Sequence, residues 1–318
     1  MSITSAQDLV GIFPALFTPI LSDDPKRLRN SIDYKKAEFM IEDLIATGVQ
    51  GIVPVGTTGQ SATLSHAQHL EFIQFVLDCT KDRVNVIAGA GSNCTRESVD
   101  MIQAIQKIAS VPVLCVTGYY NIPSQEGLIQ HFQTLSEETG AKIVLYNVPG
   151  RTNSYLQPQT VISLANDKNI IGLKQAVNFK PDGEHREDTL RILEATKGLD
   201  FALLSGEDDA FADILEMGGT GLITATGNIP EASILFLEMI EAFKKGNREL
   251  CRALQIQVLD YVKLIFARKN PMPLGTFFNS PLYQPMSSVI ESEGGQAVVE
   301  QIMQIIEKKA LSLKKYHS

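Results

Sequence analysis

Eight short apolar runs separated by segments with helical spacing dominate the first 224 residues of this 318-residue chain. The runs lie at residues 11–17, 51–55, 84–89, 112–117, 142–147, 170–174, 201–204 and 221–224. Strands that alternate with helices in this way pair in parallel through right-handed crossovers. Eight such units predict a closed TIM (β/α)₈ barrel, because barrels of this type take about 250 residues.

The chain beyond about residue 232 reads as helices without strands. Helical spacing covers residues 232–245, 247–267 and 295–314, with a break at Asn270-Pro271-Met272-Pro273. We therefore predict a barrel catalytic domain over residues 1–231 and a C-terminal helical domain over residues 232–318. No GxGxxG motif follows the first strand, which argues against a dinucleotide-binding fold.

Charge and composition exclude several classes of partner. The formal net charge is -8 and the pI is near 5.2, so nucleic acid and anionic membranes are not expected partners. No apolar stretch has the length of a membrane span, and residues 1–5 lack signal-peptide features, which predicts a cytoplasmic protein. Its four cysteines are far apart, so neither a disulfide framework nor a zinc site is predicted. His66 and His69 lack a third metal ligand nearby in the sequence, so no metal site is predicted.

Lys174 stands at the end of the apolar run that begins at Asn169. A strand covered on both faces is nearly all Val, Ile and Leu, and an unpaired buried ammonium tends to lose its proton. Since a neutral amine is a nucleophile, this lysine suggests Schiff-base chemistry on a carbonyl substrate. The alternative from this feature alone is a strand end from which the lysine reaches solvent.

Two further strand ends carry unusual residues. The turn Gly56-Thr57-Thr58-Gly59 offers backbone amides and hydroxyls that can converge on a small anion. The fifth strand ends at Tyr146 and is followed by Arg151, a guanidinium suited to a carboxylate. Because active sites of such barrels lie at the carboxyl ends of the strands, an amine, a phenol and an anion-binding turn are predicted to share one mouth.

These motifs resemble, in order and spacing, those of the dihydrodipicolinate synthase and N-acetylneuraminate lyase family of class I pyruvate aldolases. The resemblance runs from about residue 10 to the turn at residues 270–273. It is carried by Gly56-Thr57-Thr58-Gly59, Val116-Thr117-Gly118-Tyr119-Tyr120-Asn121, Tyr146-Asn147-Val148-Pro149-Gly150-Arg151-Thr152 and Gly172-Leu173-Lys174.

The resemblance implies that Lys174 forms an imine with pyruvate and that Tyr146 shuttles protons, with no cofactor beyond that covalent imine. Thr57 and Tyr120 would complete a proton relay, in which Tyr120 acts across a dimer interface of a homo-oligomer, such as a dimer of dimers. The second substrate would be L-aspartate 4-semialdehyde, in the diaminopimelate route to lysine. For substrate binding the resemblance implies Thr58, Arg151, Ile223 and Gly206.

The resemblance also implies a possible feedback site for L-lysine near the relay. Its residues would be Ser61, Ala62, His66, His69, Asn93, Glu97 and Tyr119. In this interpretation Glu97 meets an α-ammonium group, Asn93 and Tyr119 meet a carboxylate, and the histidine helix meets the ligand side chain. The alternative is that these polar residues satisfy one another at a subunit interface.

Two other functions remain open from the sequence. A sister aldolase acting on a sugar acid, of the N-acetylneuraminate lyase or 2-keto-3-deoxygluconate aldolase type, would share Lys174 and Tyr146, but Thr57 and Arg151 favour the semialdehyde substrate. A non-catalytic metabolite sensor would be expected to lose the lysine or the tyrosine.

Three features depart from the family pattern. Gln60 and Gln175 stand where glutamates are commoner, which would remove charge near the mouth, and the loop at residues 178–185 is longer.

Overall fold

The computed structural model describes residues 3–180, 183–286, 289 and 292–308. Nine strand segments form the eight strands of a closed barrel, because the third barrel strand is split into β3 and β4. The strands are β1 (Gly11–Pro14), β2 (Gly51–Ile52), β3 (Asn85–Val86), β4 (Ala88–Gly89), β5 (Val113–Val116), β6 (Ile143–Asn147), β7 (Ile170–Gln175), β8 (Ala202–Ser205) and β9 (Gly221–Thr224).

All strand pairs in the barrel are parallel. The order β1-β9-β8-β7-β6-β5-β4 forms one sheet, and β2 pairs with β3. Hydrogen bonds from Leu16 and Val53 join β1 to β2, and the bridge between Ala15 and Val53 closes the cylinder. The predicted (β/α)₈ barrel is therefore confirmed. Each of the eight apolar runs contains or overlaps one barrel strand.

Twelve α-helices lie in the described residues. Their bounds are α1 (Tyr34–Thr47), α2 (His66–Thr80), α3 (Thr95–Ile108), α4 (Gln125–Thr139), α5 (Pro149–Thr152), α6 (Pro158–Leu164), α7 (Glu184–Ala195), α8 (Phe211–Met217), α9 (Pro230–Lys244), α10 (Arg248–Ile265), α11 (Met272–Phe277) and α12 (Gly295–Lys308). Ser65 caps α2 by accepting a hydrogen bond from the Gln68 backbone N–H.

The core has two apolar layers, one inside the barrel and one around it. Strand residues that face inward, such as Val53, Val144 and Leu204, form the interior, and a larger layer packs between the strands and the helices. Helices α9 to α12 form the predicted helical extension. Residues 309–314 of the last predicted helix lie outside the described residues. The domain division at residue 231 stays a prediction, since α9 packs against both α1 and β1.

None of the helices in the described ranges combines the length and the apolar character required for a membrane span.

Candidate active site

The two strands that carry the candidate catalytic residues change register by one residue. Ile143 of β6 pairs with Ile170 of β7, but Val144 pairs with Gly172. Ile171 is thus an extra residue in β7, as in a β-bulge. Because side chains alternate between the two faces of a strand, this extra residue changes which residues beyond it face the barrel interior.

The shift places Tyr146 directly opposite Lys174. Without it, the partner of Tyr146 would be Leu173. Lys174 is 6% exposed, and its Nζ lies 4.4 Å from the centroid of the Tyr146 ring. The predicted amine and phenol are therefore brought together at the carboxyl ends of neighbouring strands. Within the described residues, the Tyr146 hydroxyl makes no hydrogen bond.

Gly206, at the end of β8, leaves room for the lysine side chain. A Cβ atom at this position would lie 2.6 Å from the Ala176 Cβ, 3.0 Å from the Gln175 carbonyl oxygen and 3.1 Å from the Lys174 Cε. Any larger residue would therefore push against both the lysine and its strand. The predicted site residue Gly206 is in contact range of Lys174, and the glycine is required there by space.

Acidic residues that the sequence interpretation missed follow this glycine. Burial raises the pKa of the Glu207 carboxyl to about 7, against the lowering influence of the Asn178 backbone N–H and of Lys174. Burial also raises the pKa of Asp208. Its carboxylate accepts a hydrogen bond of 2.8 Å from the Thr226 backbone N–H, and this bond and the electrostatic interaction with Lys174 act in the opposite direction, lowering the pKa. The acidic run at a strand's carboxyl end was the signal that could have identified them.

Asn270 joins two loops of the predicted site. Its side-chain Nδ2 donates a hydrogen bond of 2.9 Å to the Thr58 hydroxyl. Its backbone carbonyl accepts a hydrogen bond of 2.7 Å from Arg151 Nη2. The helical extension therefore contributes directly to the mouth. The break between α10 and α11 suggested only a turn, so nothing in the sequence assigned this role to Asn270.

The remaining predicted binding residue, Ile223, and the two predicted relay residues lie in different surroundings. Ile223 is fully buried on β9 and belongs to the barrel interior. Thr57 lines the cavity at the mouth, but in the described part of the chain no hydrogen bond links it to Tyr146. Tyr120 is 92% exposed and has a φ of 74°, which is unusual for a bulky residue. The proposed relay is thus not assembled within a single chain.

The two glutamines are buried hydrogen-bonding residues. Gln60 Nε2 donates to the Thr18 carbonyl at 2.9 Å, and its Oε1 accepts from the Tyr283 backbone N–H at 3.1 Å. Gln175 is 2% exposed and bonds to Asn147 on the outer face of the sheet. Gln175 therefore does not change the charge inside the mouth, contrary to the expectation from its position beside Lys174.

One cavity of about 610 Å³ extends from the mouth to the predicted lysine site. Thr57 and Arg151 line it at the mouth, and Asn270 contributes to its wall. Of the seven predicted lysine-site residues, six line the same cavity: Ser61, Ala62, His66, His69, Glu97 and Tyr119. Lys174 and Tyr146 are not among its lining residues.

Polar contacts already connect several of these residues. His66 Nε2 lies 2.9 Å from Glu97 Oε1, and the Ser92 hydroxyl donates to the other Glu97 oxygen. Asn93 Nδ2 donates to the Tyr119 carbonyl at 3.2 Å. His69 Nε2 donates to the Gly89 carbonyl at 2.7 Å, and burial lowers the pKa of this histidine. The His69 side chain is therefore held against β4 while it lines the cavity.

The sequence of this chain matches the Dihydrodipicolinate synthetase family over residues 8–281. The chain belongs to this family. A 4-hydroxy-tetrahydrodipicolinate synthase of Methanopyrus kandleri is 40% identical over 265 residues, which cover 83% of this chain and 84% of that protein.

Solved structures of the family have the same fold. A dihydrodipicolinate synthase from Acinetobacter baumannii, chloride-inhibited and complexed with pyruvate, is 29% identical, has a TM-score of 0.82 and covers 93% of this chain and 98% of its own. An enzyme from Cyanidioschyzon merolae with lysine bound is 30% identical, has a TM-score of 0.83 and covers 93% and 97%. The chain is an enzyme of the lyase type, as the sequence predicts.

Proposed function

We propose that this enzyme condenses pyruvate with L-aspartate 4-semialdehyde through an imine on Lys174. The observation that carries this proposal is the amine of Lys174 lying 4.4 Å from the Tyr146 ring centroid at the mouth of the barrel. The names of the relatives support the reaction, and the A. baumannii structure supports pyruvate as the first substrate.

The chemistry follows from an amine beside a phenol. The Lys174 amine attacks the carbonyl carbon of pyruvate, and loss of water forms a protonated imine. The imine withdraws electrons, so a methyl proton leaves readily and an enamine forms. The enamine carbon then attacks the aldehyde carbon of the second substrate. At each stage Tyr146 would give or accept the proton.

Substrate carboxylates require donors at the mouth. Thr58 would hold the pyruvate carboxylate, and its hydroxyl is oriented by Asn270. Arg151 would position the carboxylate of the semialdehyde, since a guanidinium binds carboxylates through paired hydrogen bonds. Its Nη2 is held by the Asn270 carbonyl, which leaves the remaining donors of the fork for a ligand.

Tyr120 would complete the site of a neighbouring subunit. An aromatic side chain that is 92% exposed and held at positive φ costs free energy in an isolated chain. Ile122 beside it is 53% exposed and also has positive φ. A homo-oligomer, such as a dimer of dimers, would bury both side chains and supply the third member of the relay.

A purified-protein assay with both substrates, coupled to a reductase that consumes the product, tests the function. We expect turnover in the wild type, and an Arg151→Ala variant with a KM for the semialdehyde raised about 10- to 100-fold, because a hydrogen bond to a charged group contributes about 1.5–3 kcal/mol. Trapping of pyruvate on Lys174 should remain nearly intact in this variant.

Arg191→Ala is the matched control, since this exposed arginine lies outside the cavity. It should keep wild-type values for both substrates. Equal loss of pyruvate trapping and semialdehyde use in Arg151→Ala would remove Arg151 from its proposed role. Cleavage of N-acetylneuraminate without condensation activity would instead identify a sugar-acid aldolase.

We further propose that L-lysine binds in the part of the cavity lined by His66, Glu97 and Tyr119 and inhibits the enzyme. The lysine-bound C. merolae structure supports this class of ligand. The carboxylate of Glu97 lines the cavity and would accept hydrogen bonds from the α-ammonium group in place of His66. Tyr119 adjoins Tyr120, so an occupied site would act on the relay, and the two ligands would affect each other's binding reciprocally.

We expect partial inhibition by L-lysine, with an apparent inhibition constant raised about 10-fold or more in Glu97→Ala. Calorimetry with L-lysine should show the same loss of affinity, while pyruvate trapping stays unchanged. Glu137→Ala, an exposed position outside the cavity, should retain wild-type inhibition. Activity that is indifferent to millimolar lysine, with no binding heat, would show an unregulated enzyme.

A further inference from the structure

We propose that Asn147 and Gln175 are positioning residues that hold the one-residue register shift between the two catalytic strands. The two side chains form an amide pair on the outer face of the sheet, directly behind Tyr146 and Lys174. The functional part of this proposal rests on the imine chemistry proposed above, whereas the structural part stands on the geometry alone.

Asn147 uses all its side-chain hydrogen-bonding atoms in a fully buried position. Its Nδ2 donates to Gln175 Oε1 at 3.0 Å and to the Leu156 carbonyl at 3.1 Å. Its Oδ1 accepts from the Leu156 backbone N–H at 3.0 Å. The residue therefore closes the loop at residues 147–156, which carries Arg151, onto the end of β6.

Gln175 extends the connection to β8 and α7. Its Nε2 lies 3.4 Å from the Thr189 hydroxyl, to which it donates, and its backbone carbonyl accepts from the Gly206 N–H at 2.6 Å. The Ala176 N–H donates to the Asn147 carbonyl at 2.9 Å. The ends of three neighbouring strands are thus joined around this one residue, through both its side chain and its backbone.

The apolar pattern of β7 does not select its register. Ile170, Ile171 and Leu173 are all apolar, and the strand is buried on both faces, so no alternation of apolar and polar residues specifies its register. In the unshifted register the partner of Asn147 would be Lys174. In that register the Asn147 side chain would not meet the Gln175 side chain, and Lys174 would face the helices.

The amide pair therefore discriminates between the two registers. Only the shifted register brings the Asn147 donor to the Gln175 acceptor, and the same shift directs Lys174 toward the Tyr146 ring. A buried amide without its partner costs free energy, so the pair favours the productive register over its alternative.

Gln175→Met tests the pair, because methionine keeps an unbranched apolar side chain and removes both hydrogen bonds. At saturating pyruvate, the rate of borohydride trapping should fall about 10- to 100-fold, since small misplacement of reacting groups has effects of this size. The KM for pyruvate should change less, because the Thr58 loop is untouched. Hydrogen exchange should accelerate at the amides of Ala176, Leu156 and Gly206.

Asn169→Ala is the matched control at the opposite end of β7. It removes a hydrogen bond of 3.1 Å from Asn169 Nδ2 to the Ser136 hydroxyl, which also joins the strand region to a helix. This variant should lose thermal stability but keep the trapping rate of the folded protein. Equal losses of trapping in both variants, or wild-type trapping in Gln175→Met, would overturn the proposal.

Gln175→Glu provides the rescue. Its carboxylate keeps an oxygen for the Asn147 donor, so this variant should trap pyruvate faster than Gln175→Met. If Asn147 and Gln175 act as a unit, Asn147→Ala combined with Gln175→Met should be little worse than the stronger single variant. Wild-type protein that fails to trap pyruvate would contradict the imine chemistry. The comparison of hydrogen exchange between wild type and Gln175→Met would still test whether the Asn147–Gln175 pair holds the strand ends.

Discussion

Incubation of this enzyme with pyruvate and borohydride is expected to add a three-carbon adduct irreversibly to Lys174, and Lys174→Ala should abolish both the adduct and turnover. Reduction of the imine converts it to a secondary amine that cannot hydrolyse, so intact-mass analysis and peptide mapping identify the modified lysine. The expected loss is complete because the imine forms only through the Lys174 amine in the proposed mechanism.

Lys36→Ala is the control for this experiment. Burial lowers the pKa of Lys36, yet its ammonium donates to the backbone carbonyls of Phe278 and Asn279 at 3.0 Å and 2.8 Å. It is therefore held by backbone groups of the helical extension, and it does not line the cavity. Lys36→Ala should trap pyruvate normally once the folded fraction is taken into account. An adduct on Lys36, or on any lysine other than Lys174, would disprove the proposed mechanism.

Tyr146→Phe is expected to lose about 10²- to 10⁴-fold in turnover, the usual contribution of a general acid or base. Imine formation should continue slowly, since the Lys174 nucleophile is retained. Within the described residues the Tyr146 hydroxyl has no hydrogen-bond partner, so its removal should leave thermal stability almost unchanged. Steady-state kinetics, single-turnover trapping and a melting curve measure the three quantities.

Tyr155→Phe separates loss of a phenol from loss of the proton carrier. The Tyr155 hydroxyl donates to Asp188 at 2.6 Å, on the outside of the barrel. This variant should be less stable than wild type but retain turnover. If Tyr146→Phe turned over at the wild-type rate, another group would have to move the protons.

The structure identifies two buried carboxyl groups near Lys174 that no sequence motif predicts. Burial raises the pKa of Glu207 to about 7. Burial also raises the pKa of Asp208, which lies near two threonines and Lys174. The motifs predict roles for strand ends with a basic or phenolic residue, and this acidic strand end belongs to none of them. Their environment depends on how deeply the loop after β8 packs, and local sequence carries no information about that depth.

The helical extension shows the same limit. Its helices were predicted because their apolar spacing is local, and α10 was predicted within two residues at each end. The hydrogen bonds that Asn270 donates to Thr58 and accepts from Arg151 span more than 100 residues of chain. No local pattern identifies such partners, because they are set by where α10 ends relative to the barrel mouth.

By itself, the sequence determined the barrel, the order of its strands and the identity of the lysine and tyrosine at two strand ends. These follow from apolar periodicity and from residue chemistry, both of which are properties of short segments. The tertiary structure alone decided that an extra residue at Ile171 places Lys174 opposite Tyr146, and that Gln175 faces the helices. The physical reason is that register depends on pairing between strands, and a run that is apolar on both faces accepts more than one register.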